Sequence, residues 1–136
     1  MADVQQFLRK AMMIDGAIGV ALVDSESGMC IGTKGGKQMD MELAGACSTQ
    51  VVQANKNVIE QMNLDETPEE VLLTMDGQYH LIRLFRENDN VFSYLILNKD
   101  ACRLALARTQ LKSLDEDLSL DAVEPDQDIP VEGDTV

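Results

Sequence analysis

The sequence predicts an α+β domain in the order α-β-β-α-β-β-β-α, with helices on the faces of a five-stranded antiparallel sheet. Three observations carry this. Three segments repeat their apolar residues every three and four positions. Five runs of strand length are rich in Val, Ile, Leu and aromatic residues. Short turn sequences join those runs, and three consecutive strands with tight turns make an antiparallel sheet.

Asp3 to Met13 reads as a helix, because Val4, Phe7, Leu8 and Ala11 form one stripe. Asp3 is placed to cap it, with Gln6 three residues on, and Gly16 follows. Ala17 to Val23 is an apolar run broken only by Gly19, too short for a helix and suited to a strand buried on both faces. Asp24-Ser25-Glu26-Ser27-Gly28 is a turn, and Met29 to Thr33 completes a hairpin closed by Lys34-Gly35-Gly36-Lys37.

Asp40 to Met62 is the longest helical pattern and carries two apolar stripes. One is Ala44, Cys47, Val51, Ala54, Val58 and Met62; beside it lie Met41, Gly45, Ser48, Val52 and Ile59. Glu42, Thr49, Gln53, Lys56 and Glu60 lie opposite. Together the stripes span roughly half the circumference or more, whereas one sheet surface covers about 100°. The excess points either to a dimer contact, where Gly45 and Ser48 would let a second helix approach, or to a helix set deeper in its own core.

Asp65 to Pro68 is a loop. Thr67-Pro68-Glu69-Glu70 resembles a helix capping box, but Val71 to Met75 is rich in strand formers and Asp76-Gly77 is a strong hairpin turn, so a strand is expected. Tyr79 to Phe85 is its partner. Glu87 to Asn90 is a further turn, and Val91 to Leu97 is the fifth strand. Asp100 is expected to cap a last helix with the stripe Leu104, Ala107, Leu111, Leu114 and Leu118.

The 136 residues suit one domain. The net charge of −13 disfavours general affinity for nucleic acid or anionic membranes. Aromatics at 4%, with no Trp, are too few for a base-stacking platform. No run approaches the ~20 apolar residues of a membrane span, and the N-terminus lacks a signal-peptide pattern. Charge is uneven: Ser113 to Val136 holds nine acids and no base, which leaves a net of −4 before it. With Pro125, Pro130 and Gly133 and few large apolar residues, residues 119–136 are expected to form a disordered acidic tail. Such a tail docks a partner, guards a surface electrostatically or only aids solubility. Residues 1–118 are then the domain.

Sites for chemistry are scarce. Gly36-Lys37 lacks the rest of a phosphate-binding loop, since Ile31 stands where the first Gly belongs and Gln38 follows the Lys. No G-x-G is present for a dinucleotide turn. His80 is the single histidine and sits mid-strand, where a satisfied structural role is expected. Cys30, Cys47 and Cys102 are odd in number and widely spaced, so reduced core thiols in a cytoplasmic protein are expected rather than disulfides or a metal site. Asp65/Glu66 and Glu69/Glu70 read as solvated loop acids, and Arg83, Arg86, Arg103 and Arg108 as surface arginines. Met12, Met29, Met62 and Met75 are assigned to apolar faces, with Met39 and Met41 as interface candidates. No catalytic residue, cofactor or metal is expected.

Three stretches, "IDGAIGVALVDSESGMCIG" (14–32), "LLTMDGQYHLIRLF" (72–85) and "VFSYLILNKDACRLALAR" (91–108), resemble the first hairpin, central hairpin and final strand-helix unit of the roadblock/dynein light chain family, most of all its small standalone bacterial members. The resemblance covers residues 3 to about 114 and rests on core and turn residues, not on a catalytic signature. It implies a sheet with the central helix on one face and the two terminal helices on the other. It also implies a homodimer, or a dimer with a related roadblock protein, through that helix and the third strand. This would put Met41, Gly45, Ser48, Val52, Ile59, Val71 and Leu73 at the dimer contact. Family members regulate or scaffold Ras-like small GTPases, or join motor and signalling complexes. The expected function is therefore a non-enzymatic dimeric regulator or scaffold of a small GTPase, with Glu42, Thr49, Gln53, Lys56 and Glu60 as the docking platform and no contact with nucleic acid or membrane interior. An adaptor without a GTPase, a PAS- or profilin-like sensor of a small ligand, and an enzyme using His80 with Cys47 or Cys102 are the alternatives.

Overall fold

A computed structural model describes residues 2–37, 39–86 and 90–118. The elements are α1 (Val4–Met12), β1 (Ala17–Asp24), β2 (Cys30–Gly35), α2 (Met41–Gln61), β3 (Glu70–Thr74), β4 (Gln78–Leu84), β5 (Val91–Asn98) and α3 (Leu104–Asp117). The five strands form one sheet in the order β2-β1-β5-β4-β3, with every neighbouring pair antiparallel. The expected α+β order and sheet are thus present.

Strand alternation builds two cores. Val20, Leu22, Leu81, Leu95 and Leu97 point to one face, where Phe7, Leu8 and Ala11 of α1 and Ala107 and Leu111 of α3 cover them. Ala21, Val23, Ile82, Phe92 and Ile96 point to the other, beneath Met41 and Val52 of α2. This two-sided cover explains why β1 and β5 read as continuous apolar runs rather than alternating ones.

Local chemistry sets the ends. The Asp3 carboxylate accepts from Gln6 N–H at 2.8 Å while the Gln6 side chain accepts from Asp3 N–H at 3.0 Å, a complete capping box. Asp3→Ala is expected to lower stability by about 1 kcal/mol. A urea titration followed by circular dichroism checks this, and an unchanged midpoint would show that tertiary packing alone holds the helix. Gly16 adopts φ +85°, and a Cβ there would lie 2.7 Å from Cys102 Cβ, so glycine is required where α1 turns into β1.

Two expectations near element ends are corrected. Asp100 does not cap α3. Its N–H donates to Asn98 Oδ1 within the turn after β5, and Arg103 holds the N-cap position with no side-chain bond. β2 begins at Cys30 and runs to Gly35, leaving Met29 70% exposed in the turn. Met62 and Met75 are exposed as well, so of the four methionines assigned to apolar faces only Met12 packs against a core. At the other end of the chain, Ala2 N–H donates to Asp117 O at 2.8 Å, and Ala2 and Leu118 are both buried. The acidic stretch 119–136 and the turn residues 87–89 lie outside the described residues.

Candidate interaction surfaces

The central helix is the natural place to look for a site, because its apolar arc exceeds what one sheet covers. Met41, Gly45, Ser48, Thr49 and Val52 are its buried residues. A Cβ on Gly45 would lie 2.9 Å from Cys30 Sγ, 3.0 Å from Val23 Cγ2 and 3.3 Å from Ala21 Cβ, so the helix sits close on β1 and β2 and glycine makes room for it. Met41 fills the hollow over Gly19 and Gly36. Met41, Gly45, Ser48 and Val52 are buried within the chain itself, with Gly45 close on β1 and β2.

The other stripe is mixed: Cys47, Ala54, Val58 and Met62 are exposed, whereas Ala44 and Val51 are half-buried and pack against the same core as Val52. Leu43 is 60% exposed, Val58 50% and Met62 63%, and Cys47 and Ala54 are exposed beside them. At 100° per residue, Leu43, Cys47, Ala54 and Val58 fall within an arc of about 60°. Ile59, from the expected contact set, is half-buried.

The remaining two members of that set, Val71 and Leu73, lie on β3. They pair with Ile82 and His80, which places them on the α2 face, and both are half-buried. β3 is an edge strand whose outer side has no partner strand among the described residues. Exposed Leu64 precedes it and exposed Met75 follows it.

On the polar arc, Glu42, Gln53 and Glu60 are exposed and Lys56 is half-buried. Gln53 Nε2 donates to Ser25 O at 2.7 Å, tying the β1–β2 turn to the helix. Thr49 departs from the expected platform: it is buried under that turn, and its hydroxyl has no hydrogen-bond partner among the described residues.

His80 is buried and hydrogen-bonded through both ring nitrogens, to Tyr94 and to Gln78. Cys102 packs on the core of the opposite sheet face, and Cys47 is exposed rather than a core thiol. Among the described residues no group of three His, Cys, Asp or Glu side chains is placed to hold a metal, and no helix is long and apolar enough to cross a membrane.

One polar cluster went unread in the sequence. Arg83 Nη1 lies 3.2 Å from Glu70 Oε1 and its Nε 2.9 Å from Asp115 Oδ2, while Arg108 also pairs with Glu70. Arg83, Glu70 and Asp115 side chains are nearly enclosed, so Glu70 is not a solvated loop acid and Arg83 not a surface arginine. Arg83 Nε and Asp115 Oδ2 approach each other without an aligned hydrogen bond. Burial, opposed by Arg83, pushes Asp115 up to about 8. The signal was present: a hairpin centred on Asp76-Gly77 puts Glu70 opposite Arg83. Beside the cluster, an open groove of about 600 Å³ runs between β3 and α3, lined by Leu72, Arg108, Thr109 and Lys112 among others. Its charged lining is unlike the enclosed apolar cavity of a small-ligand sensor.

This architecture, a sheet with one central helix on one face and two terminal helices on the other, is the Roadblock/LC7 fold. A Roadblock/LC7 domain from Streptomyces avermitilis superposes with a TM-score of 0.73 at 8% identity, covering 85% of this chain and 94% of that one. MglB of Myxococcus xanthus gives 0.66 at 19% identity over 82% and 77%. An MglB with a tetrameric arrangement gives 0.69 at 12% identity over 83% and 82%. At these identities the likeness is one of fold. No family model and no curated protein matches the sequence.

Proposed function

We propose that the chain is a non-enzymatic roadblock-type regulator or scaffold that works as a dimer and docks a Ras-like small GTPase. The observation that carries this reading is the exposed apolar arc of α2 on the same sheet face as an unpaired β3 edge. An apolar stripe and an open edge together are what a second copy covers, by adding a strand and a helix at once. The dimer contact is then Leu43, Cys47, Ala54, Val58 and Met62 with Ile59, Val71 and Leu73. The tetrameric arrangement of an MglB with this fold supports self-assembly. The polar arc of Glu42, Gln53, Lys56 and Glu60 flanks this contact and forms the GTPase platform. Residues 119–136 are an acidic tail outside the domain.

Light scattering tests the dimer. The expected mass is twice the 15.0 kDa of one chain, falling to one chain in Val58→Asp. Pull-down from native lysate with GDP and with a non-hydrolysable GTP analogue tests the partner. A GTPase enriched with the analogue supports a regulator, and equal recovery supports a scaffold. The pair Lys56→Glu and Glu60→Lys together is expected to weaken docking by about tenfold, or ~1.4 kcal/mol. Unchanged affinity places the platform elsewhere.

A further inference from the structure

The groove between β3 and α3 lies on the sheet face opposite α2, since Leu72 in its lining packs against the core that α1 and α3 cover. The dimer contact proposed above, on the α2 face, does not use it. Its α3 wall presents Arg108, Thr109 and Lys112, all exposed, and its β3 wall presents Glu69, Glu70 and Leu72. Glu70 is matched by Arg83 and Arg108. Lys112 makes no ion pair among the described residues, and the Arg108 side chain is still 51% exposed. The α3 wall is therefore the positive side of an open groove, and exposed Glu69 turns carboxylates away from the β3 wall.

An acidic segment stands at one end of this groove. Residues 119–136 hold six acids and no base, and they follow directly on Leu118. Leu118 is buried and shares a small hollow with Arg83 and Arg86, and Arg83 also lines the groove, so the segment starts at the groove's end. Leu118 itself is extended, with φ −77° and ψ 132°, close to polyproline II. A chain continued in that geometry advances about 3.1 Å per residue and repeats its side chains every third residue. Asp121 and Glu124 then share one face, and Asp121 lies about 9 Å from Leu118. Lys112 lies about 9 Å back along α3 from Leu118, with Arg108 one turn further on the same face. We propose that the chain's own residues 119–124 turn back along α3 and occupy the groove, with Asp121 against Lys112 and Glu124 against Arg108.

The tether makes the weak individual pairs count. Exposed ion pairs are each worth little, but a segment joined to the groove by a few residues meets it at a high effective concentration. The groove is then a site for an acidic peptide segment that the chain fills by itself. An acidic segment of another protein reaches Lys112 and Arg108 only by displacing residues 119–124. The contact is electrostatic and exposed, so it weakens with salt. It depends neither on the dimer nor on a GTPase.

Amide NMR on the full chain tests this with Asp121→Asn and Glu124→Gln combined, which leaves residues 1–118 as they are. The expected result is a shift of the Thr109 and Lys112 amides with those of α2 unmoved, and a shift in the same direction when wild type is taken to about 0.5 M salt. In a Lys112→Glu background the same tail substitutions are expected to shift the Thr109 amide by less than half as much. No shift at Thr109 and Lys112 overturns the proposal, as does a Thr109 shift of equal size in the Lys112→Glu background. Labelled wild type, mixed in urea with excess unlabelled tail variant and refolded, shows whose segment fills the groove. Wild-type amide positions that persist mark the chain's own segment; positions that move to those of the variant mark a second copy's and overturn the proposal. Light scattering on the same samples is expected to give wild type and tail variant one mass. A monomer in both removes the dimer and leaves the groove reading standing on its amide shifts.

Discussion

Phe92→Ala is expected to lower the unfolding free energy by about 3–5 kcal/mol. Phe92 is fully buried on β5, the middle strand of the sheet, and lies opposite Val23 of β1 and Leu84 of β4. Its ring fills the core beneath α2, where the neighbouring strands hold the backbone and little can move to close the gap. A domain of this size has about 5–15 kcal/mol in total, so the variant loses a large part of its margin. Leu106→Ala, on the exposed side of α3, is the control and is expected to stay within about 0.5 kcal/mol of wild type. Urea unfolding of both measures the difference. A loss below about 1 kcal/mol at Phe92 would mean that the α2 core repacks freely, contrary to the close approach that Gly45 enforces.

The hairpins were legible because turn chemistry fixes register. Asp76-Gly77 set β3 against β4, and the apolar run Val91 to Leu97 could only be a strand enclosed on both sides. α1 was legible through Asp3 and Gln6. The side of α2 that meets the sheet was not, for a physical reason. Its two stripes are similarly apolar, and periodicity gives their spacing but not which one a sheet requires. Small residues suit any close approach, and Gly45 serves the chain's own β1 and β2. Thr49 sits at a polar position of the helix wheel, and only the fold-back of the β1–β2 turn encloses it, a contact between segments far apart in sequence. Asp100 has the residue type of a cap, yet the turn from Asn98 to Ala101 delays the helix start past it. The ion cluster needed two steps at once: the hairpin register that pairs Glu70 with Arg83, and the packing of α3 that delivers Asp115 and Arg108.

That cluster carries the second large effect. Arg83→Met is expected to cost about 3 kcal/mol or more, because Glu70 stays buried with only the half-exposed Arg108 as partner. Adding Glu70→Leu is expected to recover much of the loss, since an apolar pair needs no compensating charge. Asp115 behaves differently. Its ordinary value is 3.8 and burial raises it to about 8, so the folded chain binds a proton that the unfolded chain has released. Its contribution is complete below the ordinary value, declines as pH rises, and is gone above about 8. Asp115→Asn keeps the shape without the ionisation. Its stability relative to wild type is therefore expected to rise from pH 5.5 to 8 and then level. Unfolding measured across that range for wild type, Asp115→Asn and Arg83→Met separates the parts. A flat difference between wild type and Asp115→Asn would mean that Arg83 holds Asp115 ionised throughout. In that case Arg83→Met strands two buried carboxylates rather than one, and its cost rises steeply with pH. The shape of one pH profile thus says which of the two acids neutralises Arg83 where α3 meets the sheet.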